Sequence, residues 1–255
     1  MDERELTTSI CTSDAESITV RGKDLNKLIG TLDFGEFFYF HLTGDVPTDS
    51  ESRLFNAILV TVAEHGMTPS VIAARLTYDS APDAIQGAVS SGLLGAGGTF
   101  LGSMENAARM LQDGVDIAEA EDVPLQNIAA DIVAEYDRLP GYGHPLHDPV
   151  DPRSGRLLEI IEDEGMNGDH TRLLRAIEDE AQESYDANLM INATGAIGAA
   201  VMELGLEPRV ARGLALVSRS AGLVGHVNEE IQNPIARDFW TVVEEAVTYE
   251  EEADA

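Results

Sequence analysis

The chain has 255 residues and a mass of 27.4 kDa, enough to bury a full core in one domain with a small lobe attached. Asp and Glu number 46 against 16 Lys and Arg, giving a formal net charge of -30, and the only lysines are Lys23 and Lys27. Such a surface repels nucleic acid and anionic membranes and suits a salt-rich cytoplasm, where screening relieves self-repulsion. The single Cys11 excludes an intrachain disulfide framework, the charged opening MDERELTTSI lacks a signal-peptide core, and no window has the apolar length of a membrane span. The sequence therefore predicts a soluble, cytoplasmic protein.

Residues 8–20 alternate around the polar Ser13-Asp14-Ala15-Glu16, with Ile10, Ile18 and Val20 apolar, which predicts a short N-terminal β-hairpin. Beyond it the pattern is helical, and the predicted class is all-α. Thr48 and Glu51 form a capping box ahead of the apolar run Leu54 to Ala63, with Gly66 as its stop. Apolar residues on most faces of that run predict a central helix. Further helices are predicted at about 70–78, 82–95, 104–112, 124–138, 154–164, 171–186, 189–204 and 208–231, bounded by caps, glycines and prolines. There is no βαβ alternation or internal repeat, which argues against a Rossmann fold or a solenoid. The polar stretch 112–187 predicts a smaller helical lobe, set against a large helical domain built from 1–111 and 188–255.

Chemistry concentrates in Pro140 to Arg156, PGYGHPLHDPVDPRSGR. Gly141 and Gly143 allow close backbone approach to a ligand, His144 can exchange a proton near neutral pH, and Arg153 can grip a carboxylate bidentately. An incidental histidine on a proline-rich loop is the alternative reading. His65 falls at the C-terminal end of the predicted central helix, where free carbonyls and the macrodipole can fix an imidazole. In the run Ser91 to Ser103, Gly95, Gly97 and Gly98 are candidates for receiving an anion, though tight helix packing explains a glycine run equally well. Asn192 and Thr194 interrupt an apolar helix and need partners, either backbone or ligand. Arg219, set among Leu214, Leu216, Val217, Leu223 and Val224, needs an anion or an internal carboxylate, and His226 and Arg237 follow it.

Taken in order, these segments resemble the citrate synthase superfamily from about Ser9 to Trp240, and within it the stand-alone citryl-CoA lyases and the C-terminal lyase module of ATP-citrate lyase. Val20-Arg21-Gly22 resembles the opening RG motif, His41 to Thr48 an LxxGELPT-like turn, and Glu64-His65-Gly66 the DHG motif. Gly141-Tyr142-Gly143-His144 resembles GxGH, Asp151-Pro152-Arg153 resembles DPR, and Ser218 to Gly222 and Ile235 to Arg237 resemble the later arginine motifs. The resemblance implies a citrate synthase-like helical fold and retro-Claisen cleavage of citryl-CoA to acetyl-CoA and oxaloacetate. It gives His144 the hydroxyl proton and His65 the enolate oxygen. Arg153, Arg219, Arg237 and His226 would hold the carboxylates, Arg237 from the partner subunit of a homodimer. Coenzyme A enters as part of the substrate against Gly95, Gly97 and Gly98, with no tightly bound cofactor and no metal. Two departures stand out. Gly98 to Asn106 lacks the histidine of synthases, favouring cleavage over synthesis, and Thr194 occupies the position of the catalytic aspartate. A synthase, another acyl-CoA and 2-oxoacid lyase, and a non-catalytic acyl-CoA or dicarboxylate sensor are the alternatives.

Overall fold

The computed structural model describes residues 6–143, 150–185 and 189–250, with the backbone alone at 99 and 100. It is a helical assembly with a small antiparallel sheet at the N-terminus. The sheet comprises β1 (Cys11–Ser13), β2 (Ile18–Val20) and β3 (Lys23–Asp24), in register Cys11↔Val20 and Val20↔Lys23. The predicted hairpin is present, extended by one strand. The Asp14 side chain closes its turn by accepting from the N–H groups of Glu16 and Ser17, both at 2.8 Å. Arg21 donates to the carbonyls of His41 and Leu42 at 3.0 Å each, tying the sheet to the end of α2 (Phe34–Thr43). Val20, Leu28 and Phe40 form a small core beneath it, with Leu28 on the short α1 (Leu25–Leu28).

α3 (Asp49–Ala63) starts at the predicted capping box: Thr48 Oγ1 accepts from Glu51 N–H at 3.3 Å and Glu51 Oε2 accepts from Thr48 N–H at 2.7 Å. It is not the central helix, however. Leu54, Phe55, Ile58 and Val62 face the core, whereas Val60 is 76% exposed. The buried position belongs to α9 (Ala193–Glu203), where every residue from Gly195 to Met202 is buried. Its alanines and glycines let neighbouring helices close in on all sides; a Cβ on Gly198 would come within 2.8 Å of Ala108 N.

Proline at the first helical turn opens α4 (Pro69–Ser80), α7 (Pro152–Asp163) and α10 (Pro208–Gln232). The two helices predicted at 82–95 and 104–112 are present as the two arms of α5 (Ile85–Glu121), which meet at Gly97, where a φ of 53° and ψ of -165° break the helix and suit a glycine. The Ser91 to Ser103 run is thus helical on both sides of that break. α5 packs against α4, α9 and α10 and forms the spine of the molecule. α6 (Leu125–Glu135) and α8 (Asp169–Ser184) pair with each other, and the main apolar core runs from Tyr39 to Ala215 through α3, α5, α6, α7, α8, α9 and α10. α11 (Ala236–Ala246), absent from the predicted set, buries only Ala236 among the described residues and leaves Trp240, Val242 and Val243 exposed.

Candidate functional site

A cavity of about 930 Å³ opens between the α3–α4 connection, the broken segment of α5, the start of α7, the N-terminus of α9 and α10. His65, Gly98, Arg153, Thr194 and Arg219 all line it, brought together from five separate parts of the sequence.

Its floor is a close approach between two chain segments. Gly141 and Gly195 meet backbone to backbone: a Cβ on Gly141 would come within 2.6 Å of Gly195 Cα, and Gly141 has a φ of 92°. Asn192 N–H donates to Gly141 O at 2.9 Å, Gly143 N–H to Met190 O at 2.8 Å, and Asn192 Nδ2 to Gly143 O at 2.6 Å. From below, Tyr142 Oη donates to Leu174 O at 2.7 Å, and Glu178 accepts from Ile191 N–H at 2.6 Å. The residue that leaves this anchored turn is His144, which lies outside the described residues.

Asn192 and Thr194 do not interrupt a helix; they begin one. The apolar pattern extends the predicted helix back to 189, but Asn192 is the N-cap of α9, and its Oδ1 accepts from Thr194 N–H at 2.9 Å and Gly195 N–H at 3.2 Å. The same oxygen accepts from Thr194 Oγ1 at 2.7 Å. With its proton committed there, the Thr194 hydroxyl presents lone pairs to the cavity.

Asp151 couples the two neighbouring helix starts. Fully buried, it caps α7 by accepting from Arg153 N–H at 3.1 Å, takes Nε and Nη2 of Arg153 at 3.1 and 2.9 Å, and accepts from Ala193 N–H at 3.0 Å. Burial pushes its carboxyl upward, but the Arg153 side chain, the Ala193 and Arg153 amides and the Arg153 charge together hold it below the ordinary aspartate value. Arg153 is thereby held at the cavity edge with two of its donors on Asp151.

Arg219 is the more exacting group. It is 9% exposed, and its Nη1 has no hydrogen-bond partner among the described residues. Burial lowers its pKa, the Glu64 charge opposes that, and the Arg153 charge adds to it. A buried guanidinium with an unused donor and a second arginine nearby makes a receptor for an anion.

The other predicted residues sit elsewhere. Gly95 packs against α4, its notional Cβ 3.3 Å from Ala73 Cβ, and Gly97 forms the break. His226 lies between Arg75 and Glu64 and is not among the residues lining the cavity. Arg237 is on the surface, its side chain 80% exposed, with Nε 3.2 Å from Asp79 Oδ1. The structure adds Arg138, Ser103 and Asn106 to the lining. Arg138 was legible in principle: basic residues are scarce here, and it lies two positions before Pro140.

Comparison with known proteins bears on what this site is. The family model described as citrate synthase, C-terminal domain, matches residues 31–238. The structure is similar to that of citryl-CoA lyase from Hydrogenobacter thermophilus, with 30% identity, a TM-score of 0.87, and coverage of 99% of this chain and 97% of that one. It shares its fold with ATP citrate lyase from Methanosaeta concilii, an aspartate-to-alanine variant in complex with (3S)-citryl-CoA, at 21% identity and a TM-score of 0.74 over 99% of this chain and 43% of that one. Citrate synthase from Haloferax volcanii is 25% identical over 221 residues, which is 84% of this chain and 55% of that protein. The chain spans about half the length of the curated relatives it matches. With the family match covering most of its residues, the chain belongs to the citrate synthase family.

Proposed function

We propose that the protein is a citryl-CoA lyase-like enzyme, cleaving citryl-CoA to acetyl-CoA and oxaloacetate by a retro-Claisen reaction. The observation that carries this reading is the convergence of Arg219, with its unused buried donor, and Arg153, His65 and Thr194 on one cavity. Cleavage rather than synthesis is supported by the nearly end-to-end likeness to a citryl-CoA lyase, and by the absence of a histidine from Gly98 to Asn106.

In this reading Arg153 and Arg219 hold the two free carboxylates of the citryl group. His144 takes the proton of the tertiary hydroxyl; the carbon–carbon bond breaks, leaving the oxaloacetate ketone and a thioester enolate. His65 donates a hydrogen bond to the enolate oxygen, where charge develops. The enolate carbon then needs a proton. Thr194 cannot supply it as a carboxylic acid does, but its outward lone pairs can orient a water that delivers it. Coenzyme A enters and leaves as part of substrate and product, with Gly98 on its side of the cavity and no tightly held cofactor.

Two copies complete the site. Arg237 does not line its own chain's cavity and stands on the helix whose apolar face is uncovered, and a homodimer would carry it into the partner's cavity. Mixing inactive Arg237→Ala and His65→Ala variants then reconstitutes one intact site per mixed dimer and restores about a quarter of wild-type activity.

A non-catalytic acyl-CoA or dicarboxylate sensor is the second reading, favoured specifically by Thr194. Incubation with citryl-CoA, and separately with acetyl-CoA plus oxaloacetate, at high and low salt decides between them. Oxaloacetate release from citryl-CoA without comparable citrate synthesis is the expected result. Equal or faster condensation makes the protein a synthase, and binding without turnover makes it a sensor.

A further inference from the structure

Behind the cavity runs a chain of polar contacts that the proposed chemistry does not use. Arg75 on α4 is fully buried. It donates from Nη1 to Glu230 Oε2 at 2.8 Å, and from Nη2 to Glu229 and to His226 Nδ1, the latter at 3.0 Å. On the other side of the ring, His226 Nε2 lies 3.0 Å from Glu64 Oε2. A guanidinium carries donors only, so the Nδ1 facing it presents its lone pair. The ring proton is thereby assigned to Nε2 and aimed at Glu64.

Glu64 immediately precedes His65, at the point where the chain leaves α3 in an extended conformation, with φ of -131° and ψ of 147°. Its side chain lies alongside α10 at Gly222, where a Cβ would stand 2.6 Å from Glu64 Oε1 and clash with Ala63 O. Arg219, Gly222, His226 and Glu230 follow at three- and four-residue spacing, so one stripe of α10 holds all of them. That stripe presents the cavity arginine, the gap that admits Glu64, the imidazole that holds it, and the carboxylate that fixes Arg75.

We propose that His226 is a positioning residue for His65: its Nε2–H pins the Glu64 carboxylate to α10 and so fixes the backbone from which His65 enters the cavity. The claim rests on the lyase reading for its kinetic consequence, though not for its structural one. A direct substrate contact for His226 is unnecessary, since both ring nitrogens already have partners.

The test uses the full chain and the variants His226→Ala, His226→Gln, Glu64→Ala and the double His226→Ala/Glu64→Ala. Turnover of citryl-CoA, Tm and imidazole nitrogen NMR spectra are measured for each. We expect His226→Ala to lower kcat about tenfold while KM changes less than about twofold, with His226→Gln recovering most of the loss because its amide still donates to Glu64. In the Glu64→Ala background, His226→Ala should leave kcat unchanged, since the residue acts only through Glu64, yet still lower Tm by removing one of the three acceptors of the buried Arg75. The His65 ring signals should move in His226→Ala and Glu64→Ala and stay in place in His226→Gln. A full kcat loss that persists in the Glu64→Ala background, or unmoved His65 signals, overturns the proposal. If wild-type protein does not turn over citryl-CoA, the lyase reading falls, and the NMR comparison alone decides the positioning role. If His226→Ala fails to fold, His226→Gln and Glu64→Ala decide it: His65 signals unmoved in Glu64→Ala, or moved as far in His226→Gln, reject it.

Discussion

At the scale of single residues, Arg219 brings to the site a buried donor that the described residues leave unused. Arg219 loses hydration on burial, and its Nη1 has no partner among the described residues, so folding gains little from the charge that binding would use. Replacing it with alanine should weaken binding of a dicarboxylate by about 10–100-fold, the worth of a charge-assisted hydrogen bond, without lowering Tm. Isothermal titration alongside thermal melting checks both halves, and a large drop in Tm would show that the guanidinium is structural. Thr194 is the converse case. An aspartate there could not share the Asn192 Oδ1 that Thr194 now donates to, because two acceptors would face each other. Its carboxylate would turn into the cavity, favoured by the N-terminus of α9. Thr194→Asp is therefore expected to raise the cleavage rate by about 10²–10⁴-fold and add a titrating group to the pH–rate profile. In a binding-only protein the same change would weaken dicarboxylate binding and yield no turnover.

Between elements, the decisive contact is Asp151, which ties the start of α7 to the start of α9. Its pKa in the folded state lies below the unfolded value, so the stability it contributes is present above the ordinary aspartate pKa. That contribution is lost as pH falls through the ordinary value towards the folded one. Asp151→Asn should cost about 2–4 kcal/mol near neutral pH, with the gap to wild type closing below about pH 4. Melting both proteins across pH 3–7 provides the check; a gap independent of pH would place the effect in packing. Asp151 illustrates what the sequence concealed. DPR was legible as a motif, with Arg153 as its chemical end, but that Asp151 reaches Ala193 depends on a contact 42 residues away. The capping box at Thr48 and the proline-led helices were legible because each is decided by neighbours within four residues, and the hairpin because Asp14 closes its turn on Glu16 and Ser17. The start of the second arm of α5 directly after Gly97 was not, because Gly98 and Gly102 read as breakers, whereas only Gly97 leaves helical φ and ψ. The motifs placed His65, Arg153, Thr194 and Arg219 on one list, and the fold places them around one cavity.

For the whole molecule, charge is the dominant quantity. A net charge of -30 on 255 residues sets acidic surfaces against one another, and the 16 basic residues are too few to neutralise them. Some of those are engaged inside: Arg75 is fully buried and Arg219 nearly so. We expect Tm to fall, and the proposed homodimer to dissociate, on dialysis from molar to millimolar salt, because the Debye length grows from about 3 Å to 30 Å or more and exposes each carboxylate to more of its neighbours. Melting and sedimentation measured across that range are the test. A Tm indifferent to salt would count against a surface adapted to a salt-rich cytoplasm.

The meeting of Gly141 and Gly195 has a consequence for heredity. Steric faults in most cores can be repaired by a second mutation that trims the opposing side chain, but here each glycine opposes main chain, which no codon change can shrink. A selection for revertants of Gly195→Ala would accordingly recover glycine at 195 itself and no compensating change at 141.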